Sequence, residues 1–256
     1  PERLLYLIKY GIAYVSIDRE IDGKVEKLDQ KHIMRYQQLF ASLIIRDKLV
    51  QGVKSGIIWH TQGSGKTALA YYLNQVLSDE FAKKNVVTKF YFIVDRLDLL
   101  KQAKQEFEAR GLVVKTANSR AELMEQFRTN QALEGNGGQK EITVVNIQRF
   151  EEDRERVTLP AYSTNLQRIF IIDEGYKPEG SFLANLLDAD RNSIKLALTG
   201  TPLLKEERES WRVFGDYIHT YYYDKSIQDG YTLKIIREDI ETSYREKLSQ
   251  IYEKLE

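Results

Sequence analysis

The amino-acid sequence predicts an α/β fold with a mostly parallel sheet covered by helices on both faces. Three observations predict it. Short apolar runs alternate with helical segments from Ile57 to Thr199, the pattern of buried strands joined by crossover helices. One strand runs directly into a glycine turn and a helix, Thr61-Gln62-Gly63-Ser64-Gly65-Lys66-Thr67-Ala68. Another ends in two adjacent carboxylates, Asp173-Glu174.

In chain order, Leu4 to Ile8 reads as helix and Ile12 to Ile17 as a strand. Asp22-Gly23 with the mixed charges Lys24 to Asp29 reads as a turn. Lys31 to Leu49 spaces Ile33, Tyr36, Phe40, Leu43 and Ile44 for one face of an amphipathic helix. A loop from Gln51 to Gly56 leads to strand Ile57 to His60, helix Lys66 to Leu77, strand Phe90 to Val94, helix Leu97 to Arg110 and strand Leu112 to Thr116. The pattern continues through helix Arg120 to Asn130, strands Ile142 to Asn146 and Ile169 to Asp173, helix Phe182 to Leu187 and strand Lys195 to Thr199. Residues 31–222 therefore form one α/β domain, and 1–30 read as the end of a preceding segment or linker. Residues 223–256, with a strand at Leu233 to Ile236 and a charged helix at Ser243 to Leu255, are too small for a core of their own. They read as a linker or the start of a second domain. The stretch Glu134 to Gly138 reads as a surface loop.

Composition narrows the function classes. Thirty-eight basic and 38 acidic residues cancel, so only a local basic patch would attract nucleic acid. The absence of cysteine and the presence of three His argue against disulfides, thiol nucleophiles and Cys- or His-built metal sites. No apolar run approaches the roughly 20 residues of a membrane span. The chain begins with Pro1 and lacks a charged-then-apolar leader, so it reads as an excised piece of a longer cytoplasmic protein without a membrane partner.

The glycine turn has the chemistry of a polyphosphate site. Gly63 and Gly65 let backbone N–H groups converge around Ser64, and the helix start adds its partial positive charge. Lys66 would neutralise β- and γ-phosphates, and Thr67 would place a hydroxyl on Mg²⁺. The pattern G-x-x-x-x-G-K-[ST] departs at its first glycine, where this sequence has His60. Asp173 and Glu174 end a buried strand and so reach the sheet edge where the glycine turn emerges. There Asp173 would hold Mg²⁺ through its water shell, and Glu174 would polarise the attacking water. A third strand leads into Thr199-Gly200-Thr201-Pro202, which is either a relay from the nucleotide site or a good turn.

With these segments in this order, most of the chain resembles the first RecA-like motor domain of superfamily 2 helicases and translocases. The form His60-Thr61-Gln62-Gly63-Ser64-Gly65-Lys66-Thr67 is similar to that of the motor subunit of type I restriction enzymes. Val94-Asp95-Arg96 with Leu99 and Gln102 resembles that family's second motif, which implies that Arg96 touches the DNA backbone. Thr143 to Phe150 resembles another DNA-proximal segment and implicates Gln148. Arg35-Tyr36-Gln37-Gln38 with Ala41 resembles the adenine-reading motif, with Gln38 as the reader. Pro178 to Phe182 is similar to the family's segment just after the acidic motif.

The resemblance implies ATP and Mg²⁺ as cofactors and double-stranded DNA as the track. It also implies methyltransferase and specificity subunits as partners, and DNA translocation coupled to endonuclease cleavage in the full-length protein. A second RecA-like domain would supply an arginine to the γ-phosphate, so the fragment alone is expected to bind Mg²⁺-ATP weakly and hydrolyse it poorly. The nuclease domain is expected before Pro1. One departure stands out: the family continues the acidic pair with a small residue and His, whereas Gly175-Tyr176-Lys177 come after Glu174 here. Either a substitution uncouples hydrolysis from movement, or residues are missing at that junction, and the well-matched flanks favour the second. Two other readings stay open: a repair or remodelling helicase, and a nucleotide-binding scaffold without turnover.

Overall fold

The computed structural model describes residues 1–21, 24–128, 140–150, 165–173, 182–201 and 214–234. Among them the chain forms α1 (Glu2–Tyr10), β1 (Ile12–Ile21), β2 (Lys24–Ile33), α2 (Tyr36–Val50), β3 (Ser55–His60), α3 (Lys66–Ala82), β4 (Val87–Val94) and α4 (Leu97–Ala109). Next come β5 (Val113–Ala117), α5 (Arg120–Arg128), β6 (Glu141–Asn146), a 3-10 turn (Ile147–Phe150), β7 (Leu166–Asp173), α6 (Phe182–Ala189), β8 (Ile194–Thr199), β9 (Tyr217–Tyr221) and α7 (Tyr223–Gln228).

Seven strands form one parallel sheet in the order β5-β6-β4-β7-β8-β3-β9. The alternation expected from the sequence is present, and its physical basis is burial on both faces. On β4, Phe90, Phe92 and Val94 enter one core cluster while Tyr91 and Ile93 enter the other, as the two-residue period of a strand requires. Helices α1 to α4 supply the first cluster, and α5 and α6 the second. Arg168 of β7 and Asp190, just past α6, make a fully buried ion pair at 3.1 Å that ties this second layer to the sheet.

Two expectations are overturned at the N-terminal side. Lys24 to Asp29 is not a turn but the first part of β2, paired antiparallel with β1 through registers such as Ile17↔Leu28. A two-stranded ribbon leaves much of its surface in water, so charged side chains sit in it without a burial cost and hide the strand period. The ribbon still contributes Ala13 and Val15 to the first core cluster, together with Tyr6 of α1.

The next helix begins at Tyr36 rather than Lys31, and Ile33 belongs to β2. Its buried face is Gln37, Gln38, Ala41, Ser42, Ile45 and Leu49, while Tyr36, Phe40 and Ile44 are exposed. Ala41, Ile45 and Leu49 bury that face in the core, and at its first turn hydrogen bonding by Gln37 and Gln38 takes the place of apolarity. Strand β9 and helix α7 are elements that the sequence did not predict. Leu233 and Lys234 have no regular structure, and the rest of the expected strand, the helix from Ser243 and the loop at Glu134 to Gly138 lie outside the described residues.

Candidate nucleotide site

The C-terminal edge of the sheet opens into a cleft of about 680 Å³. Gly63, Gly65, Lys66 and Thr67 line it from β3 and α3, Asp173 from β7, Arg35 and Gln38 from the start of α2, and Arg96 from the start of α4. The expected phosphate loop and the first acid of the expected pair therefore face one space. Glu174, the second acid of that pair, lies outside the described residues, as do Gly175 to Ser181 and Pro202.

The loop geometry explains its glycines. Gly63 has φ +79° and Gly65 φ +86°, left-handed conformations that an L side chain adopts only at a cost. Gly65 also N-caps α3, which has no side-chain cap. The first N–H groups of α3 have no intrahelical acceptor, so they remain for an anion at this edge.

Helix α2 holds the loop from outside. Arg35 Nη1 donates to the Gly63 carbonyl at 3.1 Å, Gln37 Nε2 to the Ser64 carbonyl at 3.4 Å and Gln38 Nε2 to the Gly65 carbonyl at 2.9 Å. Gln38 Oε1 accepts the Arg35 backbone N–H at 2.9 Å and closes the first turn of the helix. Both ends of the Gln38 amide are thus engaged in positioning the loop. A Cβ on Gly65 would meet Gln38 Nε2 at 2.5 Å, so the second glycine is required by this approach as well as by its φ. Ser64 is fully buried, and its Oγ finds no partner among the described residues.

His60, at the position where the usual pattern has glycine, is fully buried and points at the neighbouring strand. Its Nε2 lies 2.7 Å from Nδ1 of His219 on β9. Burial, then His219 and Lys66, push its pKa down to about 3, and burial lowers that of His219. Two uncharged imidazoles share one hydrogen, and with the Thr61 N–H donating to the Tyr221 carbonyl at 3.1 Å they fasten the base of the loop to β9. The segment after α7 completes this support. Asp229 accepts from Tyr221 at 2.7 Å and from Tyr36, and the Tyr231 ring lies 4.2 Å from the Arg35 guanidinium. His219, Tyr221, Asp229 and Tyr231 were not singled out from the sequence, because a His or Tyr in a short strand or turn carries no local signal.

The remaining expected residues separate. Arg96 lines the cleft, with Asp95 and Asp98 at 3.9 and 4.0 Å. Gln148 is exposed on the 3-10 turn after β6, at the same sheet edge but not in the cleft. Thr199 Oγ1 donates to the Thr201 carbonyl at 3.0 Å and lies 3.3 Å from the Thr201 N–H. That is local turn chemistry, and neither threonine lines the cleft. Among the described residues no group of three or more His, Cys, Asp or Glu could hold a metal ion, and no helix is long and apolar enough to cross a membrane.

Known proteins resemble this chain in sequence and in fold. A type I restriction enzyme HindI endonuclease subunit of Haemophilus influenzae is 27% identical over 259 residues, covering 93% of this chain and 23% of that protein. A type I restriction enzyme endonuclease subunit of Staphylococcus aureus is 31% identical over 210 residues, covering 78% of this chain and 21% of that one. The chain thus spans under a quarter of the length of these relatives. The solved structure of a nuclease-deletion mutant of the type ISP restriction-modification enzyme LlaGI, in complex with a DNA substrate mimic, shares the fold. Its TM-score is 0.55 at 13% identity, covering 78% of this chain and 21% of that one. The SWI2/SNF2 ATPase family model matches residues 37–256, across the phosphate loop, Asp173 and the last strand of the sheet, and on that extent the chain belongs to the SWI2/SNF2 ATPase family.

Proposed function

We propose that this chain is the first RecA-like motor domain of an ATP-dependent translocase on double-stranded DNA, of the type I restriction class. In that setting methyltransferase and specificity subunits are its partners, and translocation is coupled to endonuclease cleavage by the full-length protein. The observation that supports this best is the convergence of Lys66, Thr67 and Asp173 on one cleft beside two left-handed glycines. Lys66 binds the β- and γ-phosphates, and the backbone N–H groups from Gly63 to Thr67 cradle them. The Thr67 hydroxyl and the Asp173 carboxylate are hard oxygen donors at one site, a set that suits Mg²⁺ with several waters retained. Bound there, Mg²⁺ supplies charge neutralisation on the phosphates.

Glu174 takes the role of orienting and polarising the attacking water. Gln38 positions the loop and contributes its remaining amide N–H to the nucleotide. Arg96 in the cleft, exposed Gln148 after β6, and Thr199 and Thr201 in the turn after β8 are the candidates for DNA contact or coupling. A second domain supplies the arginine that stabilises charge on the γ-phosphate, so residues 1–256 alone turn over slowly.

The test is ATPase activity of the full-length parent with and without long duplex DNA, for wild type and Lys66→Ala. The reading requires a DNA-dependent rate that Lys66→Ala abolishes. A variant that hydrolyses ATP at the wild-type rate refutes it. Glu174→Gln separates motor from scaffold: a motor loses activity and keeps ATP binding, whereas a scaffold is unaffected.

A further inference from the structure

Strand β9 and helix α7 carry the chain away from the sheet, and the segment after them is fastened. It turns back at Gly230 and is buttoned onto α7. The Ser226 carbonyl accepts the N–H groups of Tyr231 and Thr232 at 2.9 and 3.3 Å, the Ser226 and Thr232 hydroxyls lie 2.6 Å apart, and Tyr223 donates to the Leu233 carbonyl at 2.8 Å. Leu233 itself is 89% exposed.

This segment is tied to the start of α2 at two points. Asp229 Oδ2 accepts from the hydroxyls of Tyr36, the first residue of α2, and Tyr221, the last residue of β9. The hydroxyls of Tyr36 and then Tyr221 hold the Asp229 carboxyl below the usual carboxylate range, and bonds to an ionised acceptor are roughly twice as strong as neutral ones. The second point is the Tyr231 ring, 4.2 Å from the Arg35 guanidinium, within reach of a cation–π contact.

Both points act where α2 meets the phosphate loop. Arg35, Gln37 and Gln38 donate to three successive loop carbonyls, those of Gly63, Ser64 and Gly65. In a planar trans peptide the carbonyl and the following N–H point in opposite directions. Donors that draw the Ser64 and Gly65 carbonyls toward α2 therefore hold the Gly65 and Lys66 N–H groups on the side away from α2. If the start of α2 shifts, these donors move together.

Resting on the nucleotide reading above, we propose that Asp229 and Tyr231 form a two-point clasp through which the segment leaving the sheet sets the phosphate loop's grip on a nucleoside triphosphate. They are positioning residues that act through Tyr36 and Arg35, and neither lines the cleft. The coupling is reciprocal. Whatever draws residues 229–231 off α2 weakens phosphate binding, and bound phosphate holds the segment down.

Calorimetric titration of the full-length protein with Mg²⁺-ATP and with Mg²⁺-tripolyphosphate tests the clasp. Loss of one cation–π contact predicts that Tyr231→Ala weakens both ligands about two- to five-fold, and Tyr231→Phe, which keeps the ring, restores them. Asp229→Ala weakens both ligands by one common factor, since only the phosphate end is disturbed. In an Arg35→Ala background Tyr231→Ala has no further effect, because its route to the loop is gone; a residue that only stabilises the fold keeps its effect there. Amide hydrogen exchange at Tyr231 and Thr232 slows when tripolyphosphate binds. Lys66→Ala weakens both ligands. Unchanged affinities in Tyr231→Ala or Asp229→Ala, a loss confined to ATP, no rescue by Tyr231→Phe, an undiminished Tyr231→Ala effect without Arg35, or exchange that ignores tripolyphosphate overturns the clasp while leaving the phosphate site standing. Wild-type protein that binds neither ligand overturns the phosphate site and the clasp together.

Discussion

Replacing His60 by glycine restores the usual phosphate-loop pattern, yet the structure predicts harm. The substitution removes the 2.7 Å hydrogen bond to His219, worth about 1 kcal/mol, and leaves the half-buried His219 Nδ1 without its partner at a similar cost. Glycine within a strand adds about 0.5–1 kcal/mol. Together these losses sum to about 3 kcal/mol, which lowers the melting temperature of a domain this size by roughly 6–12 °C. Thermal unfolding followed by circular dichroism reads the shift, and a fluorescent ATP analogue reads the accompanying loss of nucleotide affinity. His219→Ala should produce a smaller shift in the same direction, and the double variant should cost less than the sum of the two, since both remove one bond. If His60→Gly melts at or above the wild-type temperature with ATP affinity intact, the imidazole pair has no part in holding the loop.

The same pair makes stability depend on pH. The folded pKa of His60 is about 3 against an ordinary 6.5, so the unfolded chain binds the extra proton between these values and stability falls as pH drops through that window. At pH 5 the loss is about 2 kcal/mol, and urea titrations at pH 7 and pH 5 should show that His60→Gln removes this part of the dependence. Gly65→Ala forces a side chain into a left-handed conformation and against Gln38. It should cost about 2 kcal/mol and reduce ATP affinity at least ten-fold; retained affinity would show that the loop has another accessible shape. Arg168→Ala strands the Asp190 carboxylate in the core and should cost about 3–5 kcal/mol without touching the cleft. A loss below 1 kcal/mol would mean that water reaches that carboxylate.

The parallel sheet was legible because strands buried on both faces, such as Phe90 to Val94 and Ile169 to Ile172, must be apolar throughout. Strand β2 was not, since Lys24, Glu26 and Asp29 lie in a ribbon with no second face to bury. The start of α2 was misread for the converse reason: Gln37 and Gln38 are buried by bonds to loop carbonyls remote in sequence, and no local pattern encodes a distant acceptor.

By itself the sequence determined which side chains meet at the sheet edge. A glycine turn with Lys66 and Thr67 after one strand, and Asp173 at the end of another, converge wherever parallel strands lie side by side, because all their C-terminal ends point the same way. Only the tertiary structure decided how the loop is held and how the cleft is bounded. His219 beside His60, Arg35 and Gln38 on the loop carbonyls, and His32 against Arg110 are contacts between segments far apart in the chain, and their energies exist only once packing brings the partners within bonding distance.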